Sequence, residues 1–201
     1  MESSKKISYN NNYFRWTIEG FRILIVLTGI LFLVQGKGSK IFNVLLTLFT
    51  TYAVEYIYKI FKIRFTEKMK FAIQVFIFFS MYLGKLFDFY SLIPNWDDFL
   101  HIASGLMLGM IGHTVLISIF HGEKYSLLSK GFICFFIILF GAACAGAWEI
   151  FEFSGDMILG LNSQGGSLLD TMFDIVNGTA GGTLVAILYY FKPGILEDKK
   201  S

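Results

Sequence analysis

Six predominantly apolar stretches divide this chain, at roughly 17–36, 40–61, 70–90, 96–120, 131–154 and 167–191. A run of about 20 apolar residues matches the ~30 Å hydrocarbon core of a bilayer at helical rise. Inside lipid the backbone has no water to bond, so such a run closes its own hydrogen bonds as a helix. Period-two alternation is absent, and both prolines, Pro94 and Pro193, fall outside the runs. The sequence therefore predicts an all-α, polytopic membrane bundle of six transmembrane helices. One transmembrane domain over 17–191 is expected, with tails at 1–16 and 192–201.

Lysine and arginine positions set the orientation. Lys5, Lys6 and Arg15 precede the first run, and Lys59, Lys62, Arg64, Lys68 and Lys70 lie near the junction of the second and third. Lys124 and Lys130 separate the fourth from the fifth, and Lys192, Lys199 and Lys200 follow the last. The alternate side holds Lys37 and Lys40. The positive-inside rule then places both termini in the cytoplasm. Trp16, Tyr56, Tyr58, Tyr189 and Tyr190 suit inner interfacial anchors, and Tyr90 and Trp96 suit outer ones. The net charge of +2 thus records topology and gives no support for nucleic-acid binding. The first run is longer than the ~7–15-residue core of a signal peptide and lacks its small-residue exit, so it reads as a retained helix. Residues 1–12 read as a loose polar tail.

Against this apolar background stand eight acidic residues near the outer side: Asp88, Asp97, Asp98, Glu149, Glu152, Asp156, Asp170 and Asp174. Carboxylates at membrane depth are costly and mark ion paths, proton relays or bound cations. Their spacing is helical. Asp97 and His101 are four apart and Asp98 and His101 three, so they share a face of the fourth helix. Glu149, Glu152 and Asp156 form one stripe on the fifth, and Asp170, Asp174 and Asn177 another on the sixth. Asp97, Asp98, Asp156 and Asp170 fall at the rim; His101, Glu152 and Asp174 lie a turn deeper, and Glu149, Ser104 and Asn177 deeper again. Further inward the same faces turn small, at Gly105, Gly109, Ala142, Ala145 and Gly181. Gly105 and Gly109 form a small-x-x-x-small pattern that lets helices approach closely. The expected picture is an acidic cup floored by small residues.

Simpler roles compete for some of these groups. Asn95 with Asp98, and Ser167 with Asp170, have capping spacing. Asp156 suits a solvated helix end. Lys85 and Asp88 suit an ion pair, as do Glu19, Arg22 and Glu55 on the cytoplasmic side. His113 is placed to bond a neighbouring helix, and His121 sits in a polar loop. Cys134 and Cys144, ten residues apart on one helix, are about 15 Å apart, cannot bridge, and read as small core residues. The loop 155–166 is glycine-rich and reads as a lid over the cup or as an ordinary connection.

Capping does not account for His101, Glu149, Glu152, Asp174 or Asn177. Several carboxylates cannot share a desolvated cup fully ionised, so they share protons or hold a cation. Oxygen ligands with one imidazole suit Mg²⁺, Mn²⁺, Ca²⁺ or Zn²⁺. His101, Glu152 and Asp174 are the expected metal ligands and Glu149 the expected general base. Asp97, Asp98, Asp156, Asp170 and Asn177 complete the candidate site.

The same residues carry a family resemblance. Leu83-Gly84, Asp88-Phe89-Tyr90 and the run from Trp96-Asp97-Asp98 to His101-Ile102-Ala103-Ser104-Gly105 resemble the YjdF-like bacterial membrane proteins, as do Trp148-Glu149-Ile150-Phe151-Glu152 and Asp170 to Asn177. That family has no established function. A more distant similarity is to VanZ-like proteins, in the acid–His pair, the following Glu, and Asp174-Ile175-Val176-Asn177-Gly178-Thr179-Ala180-Gly181. It implies a cell-envelope role related to antibiotic resistance. The basic residue that VanZ-like chains often carry between the last two helices is missing here.

Three functions remain open. The first is a cation-dependent site that binds or acts on a membrane lipid or lipid-linked ligand. The second is a proton- or cation-coupled transporter, and the third a non-enzymatic scaffold or resistance factor. No serine or cysteine is placed as a nucleophile.

Overall fold

The computed structural model describes residues 3–60, 65–120, 122–160, 163–165 and 167–196. The expected cytoplasmic charges at Lys62, Arg64, Lys199 and Lys200 lie outside the described residues, as do His121 and Leu161, Asn162 and Gly166 of the connection 155–166. The elements are α1 (Ser3–Val34), α2 (Ile41–Ile60), α3 (Glu67–Ile77) continuing as a π-helical segment (Phe78–Leu86), α4 (Phe89–Leu92), α5 (Trp96–Ile119), α6 (Glu123–Ser126), α7 (Lys130–Leu159) and α8 (Leu168–Phe191). No strand occurs among the described residues. Among the described residues, five segments are long and apolar enough to cross a membrane: Tyr13–Val34, Glu67–Leu86, Trp96–Ile119, Lys130–Leu159 and Leu168–Phe191. The remaining expected run is α2, a 20-residue helix, about 30 Å long at helical rise. This is a polytopic helical membrane protein.

Helix ends follow local chemistry. Thr66, Ser129 and Ser167 each accept a hydrogen bond from the backbone N–H three residues on, at 3.2 Å, which satisfies a donor the helix start leaves open. α7 stops at Gly160, whose φ of 66° suits a residue without a Cβ. Two ends differ from expectation. α1 begins at Ser3, within the stretch expected to be a loose tail. No Gly or Pro stands between Ser3 and Gly20, so a helix nucleated in the apolar run propagates backward unopposed. The third run breaks at Asp88, which adopts φ 59°, a region that Asp and Asn tolerate better than other side chains. The chain then turns back so closely that a Cβ at Gly84 would strike the Tyr90 ring.

Contacts divide the chain into two compact units, Met1–Trp96 and Asp97–Ser201. The first is centred on Ile25, Phe32, Val44, Tyr82 and Leu86. Its lysine-rich end holds Arg22, which is 4% exposed. The guanidinium bonds Glu19 at 2.8 Å, Glu55 at 2.6 Å and the Thr51 carbonyl at 3.0 Å, and lies over the Tyr52 ring. This is the ion-pair set expected from the sequence. At the other end Lys40 donates to Asp88 and to the Leu86 carbonyl. Asp88 therefore pairs with Lys40 and not with Lys85. Its left-handed backbone takes it out of the helical register that an i,i+3 pair requires.

The second unit packs α5, α7 and α8 around Leu116, Ile133, Ile137, Val185, Ala186 and Tyr189. The buried His113 finds its partner: Nε2 lies 2.8 Å from the Tyr125 hydroxyl on α6, which in turn reaches the Tyr189 hydroxyl at 3.2 Å. Cys134 and Cys144 are both free thiols.

Candidate functional site

Small residues set the site's position. A Cβ on Gly178 would come within 2.8 Å of the Ala145 Cβ, one on Gly105 would collide with the Gly178 carbonyl, and one on Gly181 with the Ile102 carbonyl. Backbones this close are possible only because these positions are Gly or Ala. Contact at Gly105, Ala145 and Gly178 has a direct consequence one helical turn away. His101, Glu149 and Asp174 each stand four residues from one of these, all toward the same end, so the three side chains arrive at one level.

All three are buried: His101 is 8% exposed, Asp174 4% and Glu149 3%. His101 Nε2 lies 3.6 Å from Asp97 Oδ1 and 3.6 Å from Asp174 Oδ1. That is too long for a hydrogen bond. It is close to the ~3.4 Å that separates two ligands ~2.1 Å from one tetrahedral ion. One ligand atom from each of Asp97, His101 and Asp174 lies within 4.8 Å of the others. This buried Asp/His/Asp group has the geometry to hold a metal ion.

Glu149 is not one of these three convergent ligands; it stands at their level on the neighbouring α7, one turn from Ala145. Neither of its carboxylate oxygens has a hydrogen-bond partner among the described residues. The Gln164 amide is close by, but its Nε2 is directed at Thr171 Oγ1 (3.0 Å) and at the Glu149 carbonyl (3.5 Å).

The other expected residues divide between the site and its supports. Asn177 donates to Asp98 Oδ1 at 2.6 Å, which ties α8 to α5 beside the group. Asp98 is thus a helix-to-helix tie, and Asn95 just ahead of α5 has φ 58°. Asp156 accepts from the N–H groups of Ser163 (2.8 Å) and Gln164 (3.0 Å), fastening the following loop back onto α7. Asp170 is exposed in the first turn of α8, where its N–H bonds Ser167 Oγ as the capping spacing suggested. Glu152 is half-buried on α7 and is not one of the three convergent ligands; Asp97 takes that place. Ser104 donates to the His101 carbonyl at 2.8 Å. Gln164 and Thr171 carried no signal in the sequence, because their contact depends on how the loop folds back.

Below the group, α5 presents Gly105, Gly109 and Gly112 in turn. Cβ atoms there would meet Gly178, Val185 and Phe140. Among the described residues this closed floor separates His101 and Ser104 from His113.

Residues 17–193 match the family described as "Predicted membrane protein (DUF2238)". An uncharacterized protein of Thermotoga maritima is 29% identical over 183 residues, covering 86% of this chain and 90% of that protein. No solved structure matches. With its helical spans and a family match from the first span through the last, the chain belongs to the DUF2238 family of predicted membrane proteins.

Proposed function

We propose that this membrane protein binds a divalent cation through Asp97, His101 and Asp174, at the end of the bundle expected to face outward. The observation that carries the reading is the convergence of two carboxylates on one buried imidazole nitrogen at 3.6 Å each. Burial makes the excess negative charge costly unless a cation or protons balance it.

The charge pattern also bears on the ligand. No Lys or Arg occurs between Lys85 and Lys124, nor between Lys130 and Lys192. Asp97, Asp98, Glu149, Glu152, Asp156, Asp170 and Asp174 therefore outweigh one bound dication. A phosphate headgroup would meet net repulsion, so the cation itself is the favoured ligand over an anionic lipid or lipid-linked molecule. The same excess weighs against an anionic ligand of the kind a VanZ-like role would need. The glycine floor argues against a continuous transport path through this unit, since α5, α7 and α8 carry no Asp, Glu, Lys, Arg or His between the site and His113.

Elemental mass spectrometry on detergent-purified protein tests the reading, alongside a folded His101→Ala/Asp174→Ala variant. Stoichiometric metal in the wild type, lost in the variant, is the expected result. Metal-free protein that also fails to take up any added dication would overturn the proposal.

A further inference from the structure

We infer that Glu149 is the fourth protein ligand of this site, and that the completed set selects a first-row transition dication over Mg²⁺ and Ca²⁺. The inference rests on the cation reading above and deepens it.

Two independent features point to Glu149. The first is position. Ala145 touches Gly178, and Glu149 and Asp174 each lie one turn from that contact in the same direction. Helix α7 thus delivers a carboxylate to the level at which α5 delivers His101 and α8 delivers Asp174. The second is the state of the side chain. Glu149 is 3% exposed and has no hydrogen-bond partner for either carboxylate oxygen among the described residues. Buried polar groups are nearly always bonded, and one that is not calls for a ligand or a functional role. The Gln164 amide, near enough to act on the Glu149 carboxylate, has its geometric hydrogen bonds to Thr171 and, at 3.5 Å, to the Glu149 carbonyl. That arrangement leaves both carboxylate oxygens available to an ion.

The donor set then fixes the class of ion. Mg²⁺ and Ca²⁺ are hard ions that take oxygen ligands almost exclusively, at least six of them. Here an imidazole nitrogen stands at the centre of the group, bordered by both other ligands. Imidazole with carboxylates suits Zn²⁺, Co²⁺, Fe²⁺ or Mn²⁺. Four protein ligands drawn from three helices also suit a low coordination number better than a six- to eight-fold shell.

The test uses the full chain in detergent, stripped with a chelator and titrated with Co²⁺ while its visible absorption is followed. Wild type is expected to give a Co²⁺ spectrum of low coordination number that Zn²⁺ abolishes and a large excess of Mg²⁺ or Ca²⁺ does not. Glu149→Gln, isosteric and uncharged, is expected to weaken Co²⁺ binding by at least about 10-fold and to shift the spectrum. X-ray absorption on the Zn²⁺-loaded wild type provides a readout that needs no variant, and one imidazole with three oxygen ligands is expected. Unchanged affinity and spectrum in Glu149→Gln would overturn the assignment of Glu149 while leaving the cation site standing. Displacement of Co²⁺ by Mg²⁺ or Ca²⁺ would overturn the selectivity. Failure of every dication to bind wild type would overturn the cation reading itself.

Discussion

The two units both bury charge at membrane depth, and they handle it in opposite ways. In the first, one buried cation is closed off. Arg22 has two carboxylates, a carbonyl, a hydroxyl and an aromatic face around it. In the second, Asp97 and Asp174 gather around a single imidazole, and Glu149 on the next helix has both oxygens unbonded among the described residues. A closed set of charges holds helices together. An open set of one sign costs free energy in the protein alone and is tolerated where a counter-charge binds. Neighbouring ionisable residues are therefore not evidence of function by themselves; the unbalanced part is.

The largest expected effect breaks the scaffold of the second unit. Gly178→Val would drive a branched side chain into Ala145, so loss of folded protein from the membrane is expected, at a cost above ~3 kcal/mol. Gly20→Val, where nothing lies within 4 Å, is the matched control and is expected to express normally. Membrane yield and thermal unfolding in detergent read both. Next is Arg22→Ala, which takes the Arg22 donors from the buried Thr51 hydroxyl and carbonyl while Glu19 and Glu55 stay about 40% exposed, and it is expected to cost about 1–3 kcal/mol with metal binding intact. Denaturant titration of the metal-free protein measures it, and a neutral result would remove the distinction between the units. The last effect carries the opposite sign. Glu149→Met replaces an unbonded buried carboxylate with an apolar side chain of similar size. It is expected to stabilise the metal-free protein by about 1–3 kcal/mol. A lower melting temperature would mean that Glu149 belongs to a closed structural network like that of Arg22.

Several features were legible without coordinates because they depend on short range. Capping at Ser167, the Arg22 ion-pair set and a bonded His113 follow from spacing along one helix or from the cost of leaving a polar group bare. The pairing of Lys85 with Asp88 failed for a local reason of a different kind. It assumed a helical backbone that Asp88 leaves at φ 59°. The exchange of Glu152 for Asp97 in the ligand group was only half legible: the spacing of four puts Asp97 beside His101 on α5. Whether Glu152 also meets His101 depends on how α7 is rotated against α5, which no spacing within one helix encodes.

A multi-pass helical membrane protein and three acidic stripes toward one end follow from the order of residues alone. Apolar run length, the cost of an unbonded backbone in lipid and the 3.6-residue period fix those without reference to neighbours. Tertiary structure decided which members of the stripes meet. Close backbone contact at Gly105, Ala145 and Gly178 sets the height and rotation of three helices, and one turn away it brings His101 and Asp174 together, with Glu149 at the same level. Such contacts lie between residues far apart in the chain, so no periodicity within a single helix encodes them.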